Sequence, residues 1–89
     1  FIYYTKKSNS SYNTLAKVIF RGDSIVHETF EEVFKIDSDL PTGMHNGGGI
    51  VVTKAGTIYL GVGDGGDYLR PISPNILGKI LRINKDGSI

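Results

Sequence analysis

The chain has 89 residues, a formal net charge of +1 and no cysteine. That length allows at most one small domain, and neither a disulfide framework nor a thiolate metal site can reinforce its thin core. Acidic and basic residues are interspersed, which gives no basis for nucleic-acid binding, and no apolar run approaches the ~20 residues that span a bilayer as a helix.

Helical periodicity is nearly absent. FIYYT (1–5) is aromatic and β-branched and reads as a strand, followed by turn-like polar composition in KKSNSSYN (6–13). LAKVIF (15–20) is a second strand, RGDS (21–24) a turn, and SIVHE (24–28) and EEVFKI (31–36) are two further strand candidates. DSDLPTG (37–43) is a loop in which Pro41 removes a ladder donor. GIVVT (49–53) and TIYLGV (57–62) flank KAG and predict a hairpin. The long loop GDGGDYLRPISPN (63–75) follows, with room for a single helical turn inside 68–78 that Pro71 and Pro74 interrupt. KILRIN (79–84) alternates and runs into the tight turn KDGS (85–88).

Short strands with turn signals every ~8–12 residues predict an all-β sandwich, barrel or propeller. The two halves echo each other loosely as strand, turn, strand. A four-stranded propeller blade takes ~40–50 residues, so this length holds most of two blades and cannot close a ring. The chain opens inside strand sequence and stops at a turn leading to another, as expected of a piece of something larger.

Three short motifs are weak signals. GVGDGG (61–66) satisfies the dinucleotide-binding glycine pattern, but that chemistry needs a helix to start within the loop, and DYLRPISP follows instead. RGD (21–23) reads as a polar hairpin turn, and the sequon Asn9-Ser10-Ser11 has meaning only in a eukaryotic secretory pathway. DGGD (64–67) lacks the alternating oxygen ligands and terminal glutamate of a calcium loop.

Of the two histidines, His27 lies in alternating strand sequence and reads as a surface or half-buried strand residue. His45 precedes three consecutive glycines. With Lys54 and Thr57 closing the hairpin, antiparallel register puts Gly47 near Asp64 and His45 just past the end of the same ladder. A carboxylate bonded to one ring nitrogen fixes the tautomer and makes the other nitrogen more basic, which is what a general base requires. The glycines at 47–49, 61, 63, 65 and 66 would admit backbone and a flat ligand closely. The alternative is that Asp64 caps a turn and His45 merely packs beside it.

HNGGGIVVTKAGTIYLGVGDGGD (45–67), followed by LGKILRINKDGSI (77–89), resembles the soluble glucose/sorbosone dehydrogenases. These are quinoprotein aldose sugar dehydrogenases built as six-bladed β-propellers of antiparallel four-stranded sheets and using pyrroloquinoline quinone (PQQ). The motif order is H-x-G-G, strand, turn, a second strand ending G-D-x-G, then L-G-K-[IV]-L-R and D-G-S. Residues 1–44 agree only in general character. The resemblance implies that His45 is the base taking a proton from the sugar's anomeric hydroxyl and that Asp64 is its hydrogen-bonded carboxylate. It implies PQQ and calcium as cofactors, with most of their ligands outside this chain. It also implies a sugar substrate, an electron acceptor and a periplasmic or extracellular location. Lys79 and Arg82 fall in a motif read as structural, with Ile80, Leu81 and Ile83 packing the strand. The departures are TKAG, where an acidic-glycine turn is usual, and DYLRPISPN, in a loop that varies.

On this reading residues 1–44 are the later strands of one blade and 45–89 the first three strands of the next, with no complete domain. The alternatives are a non-enzymatic propeller used for protein binding, which needs neither His45 nor Asp64, and a structural piece that associates with copies of itself through open strand edges.

Overall fold

The computed structural model describes residues 1–7, 11–36, 45–66 and 76–89. Six strands occupy them: β1 (Ile2–Lys7), β2 (Ser11–Arg21), β3 (Ser24–Ile36), β4 (Gly47–Val52), β5 (Ile58–Val62) and β6 (Ile80–Ile83). They form two antiparallel sheets of three strands, ordered β1-β2-β3 and β4-β5-β6, with no helix among the described residues. The chain is all-β, with three strands in each sheet among the described residues. The loop 37–43, Asn9 and Ser10 of the sequon, and residues 67–75 of the long loop, with most of the segment read as a helical turn, lie outside the described residues.

The first sheet departs from the sequence expectation in two places. The stretch read as a polar turn is largely strand, because β1 continues to Lys7 and pairs Thr5 with Asn13 and Lys6 with Tyr12. Its polar side chains bond to one another across the ladder: Thr5 Oγ1 donates to Asn13 Oδ1 at 2.7 Å, and Lys6 Nζ donates to Glu32 Oε1 at 3.1 Å. Polar composition therefore does not end the strand. The two candidate strands at 24–28 and 31–36 are one, and the mismatch is absorbed by a register shift opposite Lys17 and Ile19. There Thr29 Oγ1 accepts the Ile19 amide at 2.9 Å and donates to the Val26 carbonyl at 2.6 Å, standing in for a ladder bond.

The second sheet has the predicted hairpin with a different closure. Thr53, not Lys54, pairs with Thr57: the Thr53 amide donates to the Thr57 carbonyl at 2.9 Å, and Gly56 N–H returns to the Thr53 carbonyl at 2.9 Å. The loop is thus Lys54-Ala55-Gly56, a three-residue connection with its glycine at positive φ. In β6, Leu81 and Ile83 point inward while Ile80 is 78% exposed, so Ile80 does not pack this core as expected. The reason is parity, since successive strand side chains face opposite ways.

The two sheets bury one continuous core. Leu15 and Ile36 from the first meet Ile58, Leu60, Val62, Leu81 and Ile83 from the second, with Leu77 from the approach to β6; Tyr3, Phe34, Ile50 and Ile76 pack at the margin. Burial of each large aliphatic side chain contributes about 1.5–3 kcal/mol. The turn after β6 also reaches the first sheet. Asp86 Oδ1 accepts both the amide and the hydroxyl of Ser88, at 3.0 and 2.7 Å, and this holds Gly87 against β3. A Cβ on Gly87 would collide with the Val33 carbonyl, so the D-G-S turn is a point of backbone contact between the sheets.

Leu60 lies fully buried at the centre of this core. Leu60→Ala is expected to cost about 2–5 kcal/mol, read from the denaturant midpoint. A cost well under ~1 kcal/mol would contradict the packing described.

Candidate functional site

The site forms where the second sheet begins. Pairing of β4 with β5 changes register between Ile50 and Gly47: Ile50 faces Leu60, but Gly47 faces Val62. Sequence register alone put Gly47 against Asp64. The closure at Thr53 and this shift together move the strands past each other, so that Gly47 lies two residues short of Asp64. Continued along both strands, the same register sets His45 directly across from Asp64.

The backbones touch at that point. Gly63 N–H donates to the Asn46 carbonyl and Gly65 N–H to the His45 carbonyl, both at 3.2 Å. A Cβ on Gly63 would fall on the His45 carbonyl carbon and oxygen, so no other residue fits without moving one strand. His45 itself adopts φ +56°, the left-handed region, and among the described residues no other non-glycine residue does so. For an L-residue this costs roughly 1–2 kcal/mol, which the surrounding bonds must offset.

In this conformation the imidazole meets the carboxylate: His45 Nδ1 lies 2.9 Å from Asp64 Oδ1. Asp64 is held below the usual carboxylate range, first by the Gly66 amide, which donates to the same oxygen at 2.8 Å, and further by the His45 bond; partial burial works against both. An ionised carboxylate only accepts, so Nδ1 carries the hydrogen. In the neutral ring Nε2 is then the basic nitrogen. The His45 side chain is 62% exposed against 23% for Asp64, leaving the ring open to a reactant while its partner is sheltered.

The first sheet contributes residues that the sequence did not single out. The Tyr3 hydroxyl donates to the Asn46 carbonyl at 2.9 Å, and Asn13 Nδ2 approaches the same oxygen at 3.4 Å. Asn13 is fully buried and is oriented by Thr5. Burial pushes the Tyr3 phenol up to about 12, partly offset by a bond with Asn13, so it remains a donor at neutral pH. A signal was present in YNTLA: Asn13 shares the inward face with Leu15, and a polar side chain there demands a partner. His27 is exposed on β3, as read. A groove at the β2–β3 bulge, lined by Lys17, Val18, Ile19, Thr29 and Glu31, includes none of the site residues.

Comparison with known proteins gives an independent result. The family model for glucose/sorbosone dehydrogenase matches residues 1–89. The chain belongs to that family. The match takes in residues 1–44, where sequence motifs gave only general agreement. An uncharacterized protein of Synechocystis sp. is 27% identical over 103 aligned positions, which cover 100% of this chain and 24% of the relative. The chain thus spans about a quarter of the length of that curated relative. No solved structure matches it.

Two outcomes test this geometry. Gly63→Ala should destabilise the protein by about 1–3 kcal/mol or more through backbone collision, whereas Gly61→Ala, whose Cβ would meet the Gly49 carbonyl at an ordinary 3.7 Å, should stay nearer wild type; equal denaturant midpoints would contradict it. The Asp64 carboxyl resonance should titrate below the ordinary value of about 3.9. Because its folded pKa is depressed, its contribution to stability is fully present above the unfolded value and is lost as pH falls through the folded one. An NMR midpoint at or above the ordinary value would refute the hydrogen-bond assignment.

Proposed function

We propose that this chain supplies the general base of an aldose dehydrogenase. His45 Nε2 accepts the proton of a sugar's anomeric hydroxyl while hydride leaves C1, so that the cyclic hemiacetal becomes a lactone. PQQ, when bound in such enzymes, supplies the hydride acceptor. The observation that carries the reading is the His45–Asp64 pair: an ionised carboxylate sets the tautomer, and the ring is exposed next to three exposed glycines in sequence. Family membership supports the same chemistry.

Within this chain Asp64 orients the ring and stabilises the imidazolium that forms. Gly47, Gly48 and Gly49 are exposed beside it, and side-chain-free backbone there fits the approach of a flat quinone and a sugar ring. A calcium site is a different matter, since no group of three His, Asp or Glu residues is gathered among the described residues.

The two sheets are proposed to be neighbouring blades of a six-bladed propeller. They follow each other in sequence and share one core. The outer face of the second sheet leaves Val51 and Ile80 64% and 78% exposed, an apolar surface suited to a further blade, and the matched relative has the length for more. In the full-length protein His45→Ala should lower quinone-dependent sugar oxidation by about 10²–10⁴-fold, the usual worth of a general base, while quinone still binds. Near-normal turnover would overturn the assignment.

A further inference from the structure

His45 holds a conformation that its own side chain disfavours, and the bonds that secure it come partly from the other sheet. Three donors converge on the carbonyl of the next residue, Asn46: Gly63 N–H at 3.2 Å, the Tyr3 hydroxyl at 2.9 Å and Asn13 Nδ2 at 3.4 Å. The Tyr3 hydroxyl is the nearest of the three, and with Asn13 it comes from the other sheet. Tyr3 also packs over the start of β4, with its ring edge 3.6 Å from where a Cβ on Gly48 would stand.

We infer that Tyr3 and Asn13 are positioning residues for His45, acting through the Asn46 carbonyl. Rotation of the 46–47 peptide would carry that oxygen away from β1 and β2, release the adjoining His45 backbone from its left-handed conformation and let the imidazole swing off Asp64. Thr5 supports the arrangement by donating to Asn13 Oδ1, which turns the Asn13 amide nitrogen toward Asn46. Two donors from the first sheet therefore hold the carbonyl of Asn46, next to the residue whose side chain works on the second. Gly63 and Gly65 alone tie the lip to its own hairpin, leaving its orientation toward the first sheet unset.

The inference extends the reading of His45 as a base, but its primary test does not depend on that reading. In full-length protein carrying ¹⁵N-labelled histidine imidazoles, with the His45 signals assigned by loss in His45→Gln, the neutral ring should show hydrogen on Nδ1. Tyr3→Phe removes one hydroxyl and little volume. It should convert His45 to a mixture of tautomers, because Nδ1 no longer faces Asp64 throughout. Tyr4→Phe is the control: its hydroxyl donates to Glu32 on the opposite face of the same strand, and its loss should leave the His45 signals unchanged. In sugar oxidation, Tyr3→Phe should lose about tenfold in kcat with KM unchanged, as expected of a misplaced base. An unaltered tautomer in Tyr3→Phe, or an equal change in Tyr4→Phe, would overturn the inference. A wild-type protein with the Nδ1–H tautomer and no sugar oxidation would instead remove the proposed function and leave the positioning role standing.

Discussion

Gly63 lies against the His45–Asn46 backbone so closely that a single methyl group would separate the strands. From that contact follow the bonds from Gly63 and Gly65 to the two carbonyls, and from those bonds the register that sets His45 across from Asp64. Move the backbone by the width of a Cβ and the imidazole loses its carboxylate. The glycines of this segment, costly to strand stability in isolation, are the condition for bringing two chain segments to backbone distance.

The energetic arrangement is asymmetric. Stability comes from apolar contact between the sheets, with Leu15 and Ile36 packed on Ile58, Leu60 and Ile83. The site lies at the margin of that core, where hydrogen bonds to two successive carbonyls hold His45 against an unfavourable backbone conformation. Strain of this kind persists only where the surroundings over-determine it. The D-G-S turn repeats the device at another point, with Gly87 pressed to the Val33 carbonyl. Both places use bare backbone to bring two chain segments together, within the second sheet at Gly63 and between the sheets at Gly87.

Chemically, the pair divides its roles by environment. Asp64 is kept ionised mainly by the Gly66 amide, a donor within its own loop. His45 remains exposed and takes its tautomer from that charge. The carboxylate is thus set locally and the histidine by longer-range contacts, which is why Tyr3 and Asn13 matter to one member of the pair and not to the other.

Much of this was legible in residue order. Short β-branched runs on either side of KAG marked β4 and β5, alternation marked β6, and His45 with Asp64 stood out as a pair. Those features are local: a two-residue side-chain period and the backbone preferences of turn residues need only near neighbours. Misreadings arose where pairing overrode composition. Polar residues at 6–13 joined the ladder because Thr5 and Asn13 bond across it, and the register of Gly47 moved because Thr53, rather than Lys54, closes the turn and a further shift falls between Gly47 and Ile50. The sequence by itself determined an all-β chain with a histidine and an aspartate brought near each other by one hairpin. Only the tertiary structure decided that His45 is left-handed, that Asn46 is held from another sheet and that Ile80 faces outward. The first-sheet partners of Asn46 lie 43 and 33 residues away, and no local preference encodes a bond between segments that meet only when two sheets pack.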